Sequence, residues 1–146
     1  VCNGWDFDSY MKFIVVRNPW ARLVSCHAAY ANRGQPNPPR FREWLYNVKV
    51  DGDPVHPSGY FSCMSLQHVA GDGSGRLLVD HVLKLETLTT TLPPLLATVG
   101  IANVSMPHTN KTPHKHYTKF YRPRDVQHVA NLYAEEIERF GYAFGQ

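Results

Sequence analysis

Lys12-Phe13-Ile14-Val15-Val16-Arg17-Asn18-Pro19-Trp20-Ala21-Arg22-Leu23-Val24-Ser25 is the stretch whose reading decides the fold. Its first part is a short apolar run rich in β-branched residues, the pattern of a buried strand. The run breaks at Asn18-Pro19, a turn signal. Helical spacing then takes over through Trp20, Leu23, Val24, His27 and Ala28. Pro19 suits a first helical turn, where its missing N–H costs nothing. A strand therefore feeds the N-terminus of a helix, with Arg17 at the strand's end and Ser25 near the helix's second turn.

Such a junction suits an anion. Free N–H groups and the positive end of the helix dipole gather at a helix start. Arg17 adds a planar fork of donors matched to phosphate oxygens, and Ser25 adds a hydroxyl. The plainer alternative is a βα unit carrying a surface Arg and a helix Ser. On an R-N-P-x-x-R-x-x-S string alone the two readings are about evenly balanced. The rest of the chain tips the balance.

Phe13 through Tyr30 resembles the 3′-phosphate-binding segment of the sulfotransferases, in particular the carbohydrate and membrane-associated branch. Three later stretches, in the family's order, extend the resemblance over nearly the whole chain. Asp80-His81-Val82-Leu83-Lys84-Leu85-Glu86-Thr87-Leu88 resembles a late strand with a Glu-x-Leu ending. Pro107-His108-Thr109-Asn110-Lys111-Thr112 resembles the late loop on the nucleotide side. Phe140-Gly141-Tyr142-Ala143-Phe144 resembles the ending that comes after a long C-terminal helix. The resemblance implies an α/β, P-loop-like sulfotransferase fold, here partial, with a short parallel sheet flanked by helices. It implies 3′-phosphoadenosine 5′-phosphosulfate as co-substrate and a hydroxyl acceptor, at family level a glycan. Arg17 and Ser25, eight positions apart, match the family's 3′-phosphate ligands. Lys111 and Thr112 are the best matches in the late loop, where a plain solvated loop is the competing reading.

Composition agrees with this reading. The 146 residues are one domain's worth, and 43% hydrophobic content is enough for a core. A net charge of +3 fits an anionic ligand. The basic residues are scattered, which speaks against nucleic acid. Cys2, Cys26 and Cys63 have no C-x-x-C spacing, which excludes a zinc ribbon. One disulfide plus a thiol and three thiols both remain open. Cys26, on the apolar helix, reads as a small core residue. His114 and His116 form an H-x-H pair with no third ligand at zinc-type spacing, so no metal is expected. No apolar run approaches the roughly 20 residues of a membrane span.

The first helix is expected over Trp20–Ala31, closed by Asn32-Arg33-Gly34. A second helix is expected over Phe41–Val48, with Phe41, Trp44, Leu45 and Val48 on one face. Asp51–Gly75 reads as an irregular stretch of the kind that rims a substrate site, with a short helix over Cys63–Val69. Gln67 lacks the family's preceding Pro and takes no role. Asp72-Gly73-Ser74-Gly75 reads as a turn. Leu77–Leu85 reads as one or two strands interrupted at Asp80-His81. Glu86, at the strand's end, reads as a hydrogen-bond acceptor before a catalytic base. A helix over Leu92–Val99 is expected, capped from Thr89–Thr91, with Pro93 and Pro94 in its first turn and Gly100 ending it. Arg124–Phe140 reads as a single helix with Val126, Val129, Ala130, Tyr133, Ile137 and Phe140 inward and Asp125 off that face. Asn103-Val104-Ser105 and Asn110-Lys111-Thr112 are sequons of the sort chance supplies.

The family's 5′-phosphosulfate loop carries a Lys and a Ser/Thr ahead of the strand found here. No G-x-x-x-x-G-K-[ST] string occurs in the sequence. The loop and the base are expected upstream of Val1, or on a second chain carrying the N-terminal half. His27 is the one nearby candidate for a base, and a helix-face role outweighs that. Two accounts result. One is the C-terminal portion of a sulfotransferase. The other is a relative that binds nucleotide or a partner without catalysis. Compartment stays open: the Golgi lumen for a eukaryotic source, the cytoplasm for a bacterial one.

Overall fold

The computed structural model describes residues 7–32, 37–48, 65–105 and 114–146. Cys2, Gly34, Cys63, Asn110, Lys111 and Thr112 lie outside the described residues.

Two strands, β1 (Phe13–Val16) and β2 (His81–Lys84), pair in parallel with Phe13 opposite His81 and Val16 opposite Lys84. The expected interruption at Asp80-His81 is corrected: His81 is the first residue of β2. Asp80 sits just outside because its carboxylate accepts the Lys12 N–H at 2.7 Å. Leu77 contributes only an antiparallel bridge to Gly71. The turn expected between them is present, its Asp72 Oδ1 accepting from both the N–H and the hydroxyl of Ser74 at 2.8 Å.

Helix α1 (Pro19–Ala31) leaves β1 at once and buries Trp20, Leu23, Val24 and Cys26. Its neighbour α2 (Phe41–Asn47) buries Phe41, Trp44 and Leu45, as its apolar spacing requires. Each such side chain taken fully from water stabilises the fold by about 1.5–3 kcal/mol. Helix α3 (Leu66–Ala70) is shorter than expected and begins at Leu66, whose N–H donates to Glu136 at 2.6 Å.

Helix α4 (Leu88–Ala97) starts four residues earlier than the sequence suggests, so Pro93 and Pro94 lie inside it and not in its first turn. The threonines explain the early start. The hydroxyls of Thr90 and Thr91 both donate to Thr87 O, at 2.8 and 3.0 Å. They stitch the first turn to the preceding 3-10 turn, Leu85–Thr87. The two prolines would leave the carbonyls of Thr89 and Thr90 without their helical donors, and Thr89 and Thr90 are exposed to water. Gly100, at φ 80°, closes the helix. Ile101 N–H reaches Leu96 O at 3.0 Å, and Gly100 N–H reaches Ala97 O at 3.1 Å.

The expected single C-terminal helix is two, α5 (Pro123–Leu132) and α6 (Ala134–Phe140). The break is at Tyr133, which departs from helical geometry at φ −119°, ψ 30° with its side chain buried. Asp125 also corrects the sequence reading: it is fully buried. Its carboxylate accepts from Arg42 Nε at 2.9 Å, Tyr46 OH at 2.8 Å and Arg122 N–H at 2.9 Å, which joins α5 to α2. Val129 and Tyr133 join the α1 and α2 residues in one core.

Candidate functional site

The parallel register sets the residues after β1 beside those after β2. Val16 faces Lys84, so Arg17 and Asn18 meet Leu85 and Glu86. The Asn18 N–H donates to Glu86 Oε1 at 2.8 Å. Open parallel sheets place ligands just beyond the carboxyl ends of their strands, and a cleft of ≈ 490 Å³ lies there. Arg17, Ala21 and Glu86, from the strand ends and α1, line it together with His114, Lys115 and His116. Leu85, Tyr117 and Gln146 complete the wall. Among the described residues, three formal charges therefore line the cleft, two positive and one negative, with two imidazoles beside them.

The helix start differs from the sequence expectation in one chemical respect. Pro19 has no N–H. The N–H groups of Trp20 and Ala21 donate to Asn18 Oδ1, at 3.1 and 3.4 Å. The N–H of Arg22 donates to Asn18 O at 2.8 Å. The first-turn donors are thus already engaged. What the helix still offers an anion is its dipole, and the hydrogen bonds must come from outside the helix start. Asn18 is the reason: it is a buried N-cap.

Glu86 is a structural acceptor, as its place at the strand end suggested. Besides Asn18 N–H it faces the Tyr142 hydroxyl at 3.5 Å. Burial, and then the nearby Glu86 charge, push the Tyr142 hydroxyl well above its ordinary range, so it stays protonated. The C-terminal segment is held against the same junction. Asn18 Nδ2 donates to Ala143 O at 3.0 Å. Phe144 packs edge-on against Trp20, Tyr117 and Tyr121. Tyr117 OH accepts from Gly145 N–H at 2.7 Å and donates to Gln146 O at 3.0 Å.

Among the residues singled out from sequence, Arg17 lies in the cleft. Ser25 is half-buried in α1, one turn beyond Ala21 on the same helix face, since i and i+4 share a face. It is not among the residues that line the cleft. Lys111 and Thr112 fall outside the described residues, while His114, Lys115 and His116, just after them, reach the cleft. His27 does not: its Nε2 lies 2.9 Å from Pro39 O, and its ring packs on Phe41 and Trp44 at 5.5 Å each. Asn18, Tyr117 and Tyr142 were not picked out as site-building residues. Only Asn18 carried a signal, as a capping residue directly before a helix-starting proline.

Compared with known proteins, the chain matches a family model described as "Sulfotransferase family" over residues 5–143. No curated protein and no solved structure matches the chain significantly.

Proposed function

The chain belongs to the sulfotransferase family, and on that premise we propose that its cleft holds the 3′-phosphate of 3′-phosphoadenosine 5′-phosphosulfate for transfer to a hydroxyl acceptor, a glycan by family expectation. One observation carries the reading. Arg17 at the end of β1 and the basic run His114-Lys115-His116, about a hundred residues later, converge on one cleft. Arg17 would present its fork to two phosphate oxygens and Lys115 a compact charge. Ser25, with Lys111 and Thr112 in the adjoining segment, would add donors.

In the transfer, the bond from sulfur to the donor's 5′-phosphate oxygen breaks as a bond from sulfur to the acceptor oxygen forms. The acceptor's proton leaves to a base. Positioning and charge stabilisation dominate such a step, and the anchor proposed here fixes the nucleotide's register without touching the reacting atoms. Glu86 holds the junction together through Asn18 and Tyr142. His27 serves packing in this reading, its ring tied to Pro39 O.

A second reading is nucleotide capture without turnover by these residues alone. The position of His27 favours it: this candidate base lies at Pro39 O and does not line the cleft. Calorimetric titration with adenosine 3′,5′-bisphosphate tests the part common to both. Arg17→Ala is expected to weaken binding by about 2–5 kcal/mol, the usual cost of truncating one partner of a desolvated charge pair. Unchanged affinity in a folded Arg17→Ala protein rejects the site. Transfer of labelled sulfate to a hydroxyl acceptor separates turnover from capture.

A further inference from the structure

His114 is exposed at the cleft, and its ring lies against Phe120 at 6.3 Å. Its Nδ1 is 2.8 Å from the carbonyl oxygen of Lys115. A carbonyl oxygen can only accept, so Nδ1 carries the hydrogen in this pair. That fixes the neutral tautomer. With the hydrogen on Nδ1, Nε2 holds a lone pair. Neutral His114 thus offers an anion no donor at Nε2, and its lone pair repels the anion's oxygens. A proton taken up at Nε2 turns the same atom into a charged donor.

His116 is different. Its Nδ1 pairs with the Thr118 hydroxyl at 2.9 Å, and a hydroxyl donates or accepts as required. Either tautomer of His116 is therefore open, and its neutral form can already donate from Nε2.

This matters because the helix start has no N–H groups left for a ligand: Asn18 has engaged them. The anion's hydrogen bonds must therefore come from elsewhere around the cleft, its side chains among them. Arg17 comes from the end of β1, Glu86 from the turn after β2, and Lys115, His116 and Tyr117 from the segment of His114 itself. Arg17 and Lys115 bring positive charge to the cleft, and Glu86 opposes them. Histidine is the side chain that changes charge between about pH 5 and 8.

We propose that His114 is an anion ligand only when protonated, so that the cleft grips a phosphate ester more tightly as pH falls through the histidine range. The proposal rests on the reading of this cleft as the nucleotide's phosphate site. It makes His114 a conditional ligand beside the permanent Arg17 and Lys115.

Adenosine 3′,5′-bisphosphate is the probe, titrated into the wild-type chain and into His114→Gln at a series of pH values. The probe's own phosphates also titrate, so the readout is the ratio of the two affinities at each pH. That ratio is expected to be near one at about pH 8 and to rise to about fivefold at about pH 5.5, the scale of one solvent-screened charge. His114→Lys is expected to bind at pH 8 as tightly as, or more tightly than, the wild type. Nitrogen chemical shifts of the free protein should show neutral His114 protonated at Nδ1. A ratio that stays constant across pH while binding persists overturns this proposal and leaves the phosphate site standing. A neutral ring protonated at Nε2 does the same. No binding by either protein at any pH overturns both.

Discussion

The main-chain N–H of Asn18 donates to Glu86 Oε1 across 2.8 Å, while its side-chain amide donates to Ala143 O across 3.0 Å. A single buried residue thus ties together the ends of both strands, the first turn of α1 and the C-terminal segment. Replacing it by alanine removes the helix cap, worth about 1 kcal/mol, and the bond to Ala143, worth about another. Asn18→Ala is therefore expected to lower unfolding stability in urea by about 2 kcal/mol. Asn18→Ser keeps a capping oxygen without reaching Ala143, and should fall between the alanine variant and wild type.

Arg22 and Glu136 form a buried pair at 2.9 Å, with Glu136 also accepting from Leu66 N–H and the guanidinium lying over the Tyr133 ring at 4.7 Å. Burial opposes the charge on Arg22, but the attraction of Glu136 outweighs it and holds the guanidinium charged. Removing one partner strands the other in a low-dielectric site. Glu136→Ala should cost about 3–5 kcal/mol. An Arg22→Met, Glu136→Leu double variant should recover much of that loss, because the cost lies in the unpaired charge. Denaturant melts of the single and double variants give the comparison directly.

The Asp125 carboxyl is held below the usual aspartate range. Burial alone would raise it, but hydrogen bonds from Arg42, from Arg122 N–H and from Tyr46 outweigh that. A depressed carboxyl stabilises the fold above the pKa it has when unfolded, about 3.9. That contribution is lost as pH falls from there through the folded value. Unfolding free energy should therefore decline on acidification below about pH 4. The decline should be shallower in Asp125→Asn, whose overall stability is lower near neutrality. An equal acid slope in the two proteins would contradict this assignment.

Gly141 ends α6 at φ 62°, and nothing lies within 4 Å of where its Cβ would be. Gly141→Ala meets no clash, so its cost is that of the left-handed backbone alone, about 1–2 kcal/mol. A thermal melt showing no loss would mean that the turn can relax.

The sequence made plain what rests on local periodicity. The β1–α1 junction, the apolar face of α2, the glycine end of α4 and the place of Arg17 at the end of β1 were all readable from residues close together in the chain. The errors have a common physical source in tertiary partners. Asp125 reads as a surface acid until Arg42 and Tyr46, about eighty positions away, are brought to it. Tyr133 fits the helical stripe, and the break there cannot be seen from spacing. The threonines of α4 bond back to Thr87 and outweigh the prolines as markers of its start. At the site, an Asn-Pro start advertises free helix donors, and the side-chain oxygen of that asparagine then engages them.

The hydroxyl of Tyr117 grips both Gly145 and Gln146, and Gln146 is part of the cleft wall. A handle or fusion partner joined at Gln146 would consequently emerge at the mouth of the cleft. Such an extension would crowd an anion offered to Arg17 and Lys115 there.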